Sequence, residues 1–364
     1  MALRSKVRSL LSAIPKQTQA AILVAQGQPL AVAKVDLPAE LHIGQVLVEF
    51  AYSGICGSQL GEIDGVKGPD RWLPHLLGHE ASGHVVAVGP GVSQVKAGDA
   101  VVAHWRPSLG IQATTPKYRW SGQTVNAGWV TTFNRFAVIS ENRLTSIPSD
   151  ADLKTAALYG CAITTGFGTI DNVAKIRLGE TVVVFGAGGI GLNLIQASSL
   201  AGAAVIVAVD RYENRLSIAS DCGATHTINA ISSDVWAALS AIFATVKPDV
   251  FIDNTGQPEV ISKGYNLVHG RGKVVLVGVP ADGSRSAIHT LDLHFGKQII
   301  GTAGGEVEPS RDIGRYMRLL DARNIGLSRL ITDIAPLDQI NLLIDGMRNG
   351  STAGRCIIEF RSPA

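Results

Sequence analysis

"ETVVVFGAGGIGLNLIQASSLAGAAVIVAVDR", residues 180–211, decides the reading of this chain. A valine-rich run leads into Gly186, Gly188 and Gly191. A helical stretch follows, and a second apolar run ends on Asp210. Three glycines carry little weight in a chain that has 40 of them, but their setting carries more: strand before, helix after, and an acid nineteen residues beyond Gly191. Gly186 permits a tight turn, Gly188 lets a pyrophosphate approach the backbone, and Gly191 lets helix and strand pack closely. The helix N-terminus then faces the phosphate charge. Asp210 is placed to accept from the adenosine ribose hydroxyls and to repel a 2′-phosphate, which favours NAD over NADP, while the adjoining Arg211 softens that preference. The cofactor set also takes in Gly189, Ile190, Arg215, Val277 and Gly278.

Beyond this unit, "DVFIDNTG" and "KVVLVGVP" read as two further buried strands, each followed by a turn. Strands alternating with helical segments imply right-handed crossovers and a parallel sheet. Residues 20–150 differ. "QVLVEFAYS" and "ASGHVVAVG" are short, valine-rich and bounded by glycine, as in a β-rich domain. After residue 305, "RDIGRYMRLLDARNI" and "LDQINLLIDGMRNG" read as helices, and "RCIIEF" as a closing strand. The expected division is 1–160 with 305–364 as one domain and 161–304 as the other, an α/β chain overall.

Composition narrows the function class. The chain has 364 residues, 46% hydrophobic, with a net charge of +2, which argues against a general nucleic-acid binder. No apolar run approaches the ~20 residues that a membrane helix needs. The cysteines, Cys56, Cys161, Cys222 and Cys356, are too scattered for a disulfide framework and point to a reducing, cytoplasmic setting. The basic N-terminus, "MALRSKVRSLLSAIPKQ", reads as a frayed end rather than a transit segment.

Cys56 lies in "GICGS", His79 and Glu80 in "GHEASG", and Cys161 in "YGCAITTGFGT". Two thiolates and an imidazole are good zinc ligands, and three protein ligands with an open position define a catalytic site. Spacing alone does not show that they meet. Taken singly, Cys56 or Cys161 is more often a small buried hydrophobe, and His79 a hydrogen-bonded structural histidine.

With "GDAVV", "GAGGIGLN", "VDR", "VGVP" and "AGRCIIEF" in order, these motifs resemble those of the zinc-dependent alcohol dehydrogenases of the medium-chain dehydrogenase/reductase superfamily, over residues 20–360. The resemblance implies a GroES-like β-rich catalytic domain joined to a Rossmann doubly wound nucleotide domain. It implies Cys56, His79 and Cys161 as zinc ligands and Glu80 as a nearby carboxylate able to move onto the metal. It assigns Ser58 as the hydroxyl that bonds the substrate oxygen, Thr165 as the residue behind the nicotinamide, and Arg355 as a pyrophosphate partner. The partners it implies are a small alcohol or carbonyl substrate and a second copy of the chain, in a homodimer or homotetramer. "KVVLVGV" is the strand expected to pair across the two-fold.

Four departures stand out. Gln59 stands where the family has an aspartate that orients the ligand histidine. Gly61 stands where some members carry a proton-relay histidine, leaving Glu62 and Asp64 as nearby acids. The stretch 104–129 lies where the family often holds a structural zinc on four cysteines, and here it has none. One zinc per chain is therefore expected. That stretch reads as a long loop, to be held by packing of Trp105, Tyr118, Trp120 and Trp129 and stiffened by Pro107 and Pro116. His104, Trp105 and Arg106 align with pocket-lining positions, where they would recognise a polar or anionic substrate or, for the two basic groups, face solvent. The activity expected is hydride transfer between an alcohol and NAD. The alternatives are a zinc-free NADPH-dependent quinone or enone reductase, or an inactive binding protein on the same fold.

Overall fold

Val182, Val183 and Val184 are fully buried, as are Ile206, Val207 and Ala208 on the neighbouring strand. A parallel sheet covered on both faces by helices demands such unbroken apolar runs. The computed structural model describes residues 15–360, so the N-terminal expectation lies largely outside the described residues. Six parallel strands form the nucleotide sheet, in the spatial order His226–Asn229, Val205–Asp210, Thr181–Phe185, Val250–Asp253, Lys273–Leu276, Gln298–Gly301. Strand order reverses between Thr181–Phe185 and Val250–Asp253. A ligand crevice is expected beyond the carboxyl ends of the strands at such a point.

The second unit is β-rich. A closed barrel is built from Gln17–Leu23, Ala31–Asp36, Lys117–Trp120, Gln123–Asn126 and the short strand His75–Leu76. Beside it, a sheet centred on the long strand Gln45–Ile55 includes Glu80–Val88 and Ala100–His104. The C-terminal strand Arg355–Glu359 pairs with Gln45–Ile55, which returns the chain end to the first domain.

Residues 309–322 bear on the expected division, and two other sequence expectations need correction. Residues 309–322 form a helix whose Ile313, Tyr316 and Leu320 join one buried cluster with Phe167, Val182 and Leu192 of the nucleotide domain and with Val102 and Ile357 of the β-rich unit. That helix lies against both units, touching the helix Ala162–Gly168 and the strand Leu144–Ser146, with the Ser310 N–H donating to Ser108 Oγ, and the chain adds a strand to the β-rich sheet at Ile331–Pro336. The strand Lys273–Leu276 is flanked on both sides, by Val250–Asp253 and Gln298–Gly301, so it has no free edge to offer a second copy. The sheet's own edges are Gln298–Gly301 and His226–Asn229.

The stretch 104–129 is not one long loop. Lys117–Trp120 and Gln123–Asn126 form a hairpin that closes the barrel. Of the four aromatic anchors expected, Tyr118 is fully buried, and its hydroxyl accepts from the Val138 N–H at 2.9 Å. Trp105 and Trp120 are half-buried, and Trp129 is 43% exposed beneath the Arg143 guanidinium. Most of the order comes instead from polar groups outside the stretch. Buried Glu141 accepts from the backbone N–H of Ser93 and Gln94 on one oxygen and of Ile111 on the other, at 2.5, 2.7 and 2.7 Å. The Ser140 hydroxyl accepts from Ala113 N–H, and the Gln45 amide donates to the Thr114 carbonyl.

Candidate active site

Cys56 follows the strand Gln45–Ile55 and opens the short helix Gly57–Ile63. The side chain of Gln59 reaches back so that its Oε1 accepts from the Cys56 N–H at 2.9 Å, which fixes the thiol at the helix entrance. His79 precedes the strand Glu80–Val88. Its position depends on Gly78, whose φ is +91° and where an added Cβ would lie 2.3 Å from Thr132 Oγ1. Cys161 sits between the turn Ala157–Gly160 and the helix Ala162–Gly168. A Cβ at Gly160 would lie 2.3 Å from the Ala103 carbonyl and 2.7 Å from the Glu80 Cα, so only glycine lets this turn close against the first domain's sheet.

These three local devices bring together residues that are 105 positions apart at the extremes, Cys56 and Cys161. One donor atom from each of Cys56, His79 and Cys161 lies within 4.8 Å of the others. The two sulfurs are 3.9 Å apart. Two thiolates about 2.3 Å from one tetrahedral ion stand about 3.8 Å apart, so the pair already has the spread of a zinc site. His79 Nδ1 is taken by Gln59 Nε2 at 2.5 Å, while His79 Nε2 is buried with no hydrogen-bond partner. A buried nitrogen without a partner is costly unless something binds there. Donor chemistry, spacing and the orphaned nitrogen all fit a zinc ion.

The charges around the triad suit that reading. The Cys56 thiol is held well below the usual thiol range by a hydrogen bond from Cys161, against burial, with help from the Arg355 guanidinium. The same bond, with burial, pushes Cys161 up. Glu80 is fully buried, and burial raises its pKa against the pull of Arg355. Its Oε1 pairs with Arg355 Nε at 3.2 Å and its Oε2 accepts from the Ala162 N–H at 3.2 Å. Gly54 leaves room for this carboxylate, since a Cβ there would lie 2.5 Å from Glu80 Oε1. Glu80 therefore links the C-terminal strand, the first domain and the helix that follows Cys161.

A cleft of about 360 Å³ runs from Cys56 and Ser58 to Gly188, Gly189, Ile190, Arg215, Val277, Gly278 and Arg355. It is the crevice expected from the strand order, and it holds most of the cofactor residues inferred from sequence. Gly186 and Gly191 shape the turn: Gly186 has φ +98°, and a Cβ on Gly191 would lie 1.9 Å from the Gly186 carbonyl. Asp210 closes the strand Val205–Asp210 and is nearly buried. Its Oδ2 accepts from the Ala187 N–H at 2.8 Å and its Oδ1 from Tyr212, so it also braces the glycine turn. Arg215 lies 3.8 Å from Asp210, whereas Arg211 is exposed. Thr165 is buried one helical turn after Cys161, its hydroxyl 4.0 Å from the sulfur.

The three substrate candidates lie elsewhere. His104 ends the strand Ala100–His104 and is buried, with Nδ1 against the Arg106 carbonyl at 2.8 Å and Nε2 against Thr145 Oγ1 at 3.0 Å. Burial pushes its pKa down to about 4, so it is a neutral structural histidine. Trp105 packs on Gly304, where a Cβ would lie 2.5 Å from the indole. Arg106 donates to the carbonyls of Val307 and Ala303 and pairs with Glu306 at 3.5 Å. Trp105 and Arg106 serve the junction with residues 303–308, His104 bonds to Arg106 and Thr145, and none of the three lines either cavity beside the triad.

A second and larger cavity, about 870 Å³, reaches His79 and Gln59 from the side away from the glycine turn. Its walls carry Leu76, Leu77, Val130, Trp72 and Trp129, and its rim carries Lys67, Arg71, Lys117, Glu62 and Asp70. Sequence reasoning missed Trp72, although "PDRW" at 69–72 places a cation beside an aromatic after a turn. Of the triad, Cys56 thus opens to the cleft at the glycine turn and His79 to the larger cavity.

Similarity to known proteins agrees with this geometry. Residues 42–149 match the model of the alcohol dehydrogenase GroES-like domain, and residues 189–322 that of the zinc-binding dehydrogenases. The chain is 30% identical to an alcohol dehydrogenase class-3 of Cereibacter sphaeroides, over 94% of this chain and all of the relative. It belongs to the zinc-dependent alcohol dehydrogenase family. It is also 30% identical to an S-(hydroxymethyl)glutathione dehydrogenase of Paracoccus denitrificans, over 92% of this chain and 98% of the relative. Among solved structures, benzyl alcohol dehydrogenase from Acinetobacter calcoaceticus superposes with a TM-score of 0.84 at 27% identity, over 95% of this chain and 100% of the other. Membership makes the chain an oxidoreductase with a small-molecule substrate. Among the described residues, no helix is long and apolar enough to cross a membrane.

Proposed function

We propose that this chain oxidises a bulky alcohol to the aldehyde or ketone with NAD, or runs the reverse reduction, using one zinc ion held by Cys56, His79 and Cys161. The observation that carries this reading is the convergence of two thiols and an unpartnered imidazole nitrogen between the glycine-turn cleft and the larger cavity. Zinc bound there would act as a Lewis acid on the substrate oxygen and lower the pKa of the alcohol. Ser58, half-buried in the cleft beside Cys56, would accept a hydrogen bond from the substrate hydroxyl and pass the proton outward by giving up its own, while bound NAD would supply the hydride acceptor. Thr165 sits beside Cys161 where it can back the nicotinamide ring. Arg355 and Arg215 line the cleft as partners for the pyrophosphate. Asp210 stands at the strand end where it can accept from the adenosine ribose and disfavour a 2′-phosphate. Glu80, tied to Arg355, holds the electrostatic balance behind the ligands.

The walls of the larger cavity favour an alcohol with an aromatic or branched apolar substituent lying between Trp72 and Trp129. Its rim carries both signs of charge, and with His104 and Arg106 committed elsewhere the anionic preference expected from sequence loses its residues. A zinc-free reductase would leave two buried thiols and an orphaned imidazole nitrogen without a role, so that alternative has no support here. Should two copies associate, the free edge Gln298–Gly301 offers the place, in the cytoplasmic setting that the free cysteines suit. A panel of aliphatic, aromatic and anionic alcohols assayed with NAD and with NADP tests the proposal. Turnover of aromatic alcohols with NAD supports it, and no turnover of any alcohol by zinc-loaded protein refutes it.

A further inference from the structure

We propose that Gln59 opposes metal binding at the triad, because its amide holds His79 in the tautomer whose proton lies on Nε2. The inference rests on the reading of Cys56, His79 and Cys161 as a zinc site. The argument begins with the Cys56 N–H, which can only donate, and which meets Gln59 Oε1 at 2.9 Å. That contact assigns the amide, since Asn and Gln side chains are oriented by the partners they meet. The other end of the amide, Nε2, is a donor only, and it faces His79 Nδ1 at 2.5 Å. Nδ1 must therefore accept. A neutral imidazole has one donor nitrogen and one acceptor, so the proton sits on Nε2. Nε2 is also the buried ring atom with no partner, the one left for the metal.

A metal ligand needs a lone pair on that atom. Binding therefore requires the proton to move from Nε2 to Nδ1, and Nδ1 then becomes a donor facing a donor. Gln59 must turn its oxygen toward His79 to accept, which points its NH₂ group at the Cys56 N–H. One of the two donors loses its acceptor whichever way the amide lies. A carboxylate at position 59 has no such conflict: two acceptor oxygens serve the Cys56 N–H and the His79 Nδ1–H in a single pose. Gln59 is thus a positioning residue whose state is coupled to metal occupancy. Binding zinc is coupled to inversion of a buried amide, and release of zinc to its return.

The test compares the full-length protein with the Glu variant of nearly the same shape, Gln59→Glu. Zinc transfer to a competing chelator should show the variant holding zinc about 10- to 100-fold more tightly than the wild type, the span by which partners of metal-ligating histidines act. Nitrogen-15 NMR of the histidine rings gives an independent reading. In the zinc-free wild type the His79 proton should lie on Nε2, and zinc should move it to Nδ1. Equal zinc affinity of the two proteins, or a zinc-free wild type with its proton on Nδ1, overturns the inference. If neither protein takes up zinc, the zinc reading itself falls. The tautomer of the wild type still decides the part assigned to Gln59, even if the variant does not fold.

Discussion

Glu141→Gln probes how a lobe without metal is kept in order. In the wild type one Glu141 oxygen accepts from Ser93 and Gln94 N–H and the other from Ile111 N–H. The substitution keeps the shape and replaces one oxygen by an NH₂ group. At least one of the three N–H groups then faces a donor, and the others lose the charge of their acceptor. A hydrogen bond to a charged group contributes about 1.5–3 kcal/mol, and charge-assisted bonds are roughly twice as strong as neutral ones. Losing one bond and halving two comes to roughly 3–6 kcal/mol, or at least about a 100-fold change in an opening equilibrium. Native-state hydrogen exchange resolves this locally, where a global melting temperature would not, because two domains need not unfold in one step. The amides of Ser93, Gln94 and Ile111 should exchange at least about 100-fold faster in the variant. Amides of the nucleotide sheet, such as Val183, should not change. The pH dependence adds a second signature. Burial pushes the Glu141 pKa up, but the N–H bonds from Ile111, Ser93 and Gln94 outweigh it and leave the folded-state pKa below the ordinary value. A depressed carboxylate pKa stabilises the fold above its unfolded value and is lost as pH falls through the folded one. The protection of Ser93, Gln94 and Ile111, corrected for the intrinsic pH dependence of amide exchange, should therefore fall on acidification through the carboxylate range in the wild type and much less in Glu141→Gln. Unchanged exchange in the variant at neutral pH would refute the role given to Glu141.

Asp210→Gly should weaken NAD binding and improve kcat/KM with NADP, and a wild type that already prefers NADP would contradict the part given to Asp210. The variant should also loosen the glycine turn, because the Ala187 N–H loses its acceptor, so faster exchange at Ala187 is expected. Trp72→Ala should raise KM for aromatic alcohols at least tenfold while leaving that for ethanol nearly constant, and equal effects on both would remove Trp72 from the pocket. Gly160→Ala should lower zinc content and stability together, by 1–3 kcal/mol or more for overpacking against Ala103 and Glu80. Calorimetry and metal analysis check this, and normal values for both would show that the turn can shift.

The nucleotide unit was legible in sequence because its signal is local. A strand, a turn that needs glycine at Gly186 and Gly191, and an acid at Asp210 fall within one short segment, and each has its own steric reason. The triad was legible only through resemblance, since nothing in the spacing of Cys56, His79 and Cys161 says that they meet. The physical link is Gly160 and Gly78, whose lost side chains let distant segments close on one another, and that complementarity is invisible before the partners are known. The stretch 104–129 failed for the same reason. Its main anchor, Glu141, lies 30 residues beyond Ile111, and a buried carboxylate facing backbone N–H groups has no sequence period. His104 and Arg106 were misread because alignment gives position along a strand, not the direction of a side chain. His104 turned inward to Thr145, and Arg106 turned across the domain junction to Glu306. Gln59 was legible as a departure, but the conflict at its amide needed the distances to Cys56 and His79.

Elemental analysis of the purified protein after extensive dialysis, run beside Cys56→Ser, tests the central claim most directly. The account predicts about one zinc per chain in the wild type, since one triad is the one group of metal-capable donors converging among the described residues. It predicts loss of that zinc, and of alcohol oxidation, in Cys56→Ser, with NAD binding retained. A wild type that oxidises alcohols at full rate while free of zinc, or a Cys56→Ser protein that keeps its metal, would contradict it.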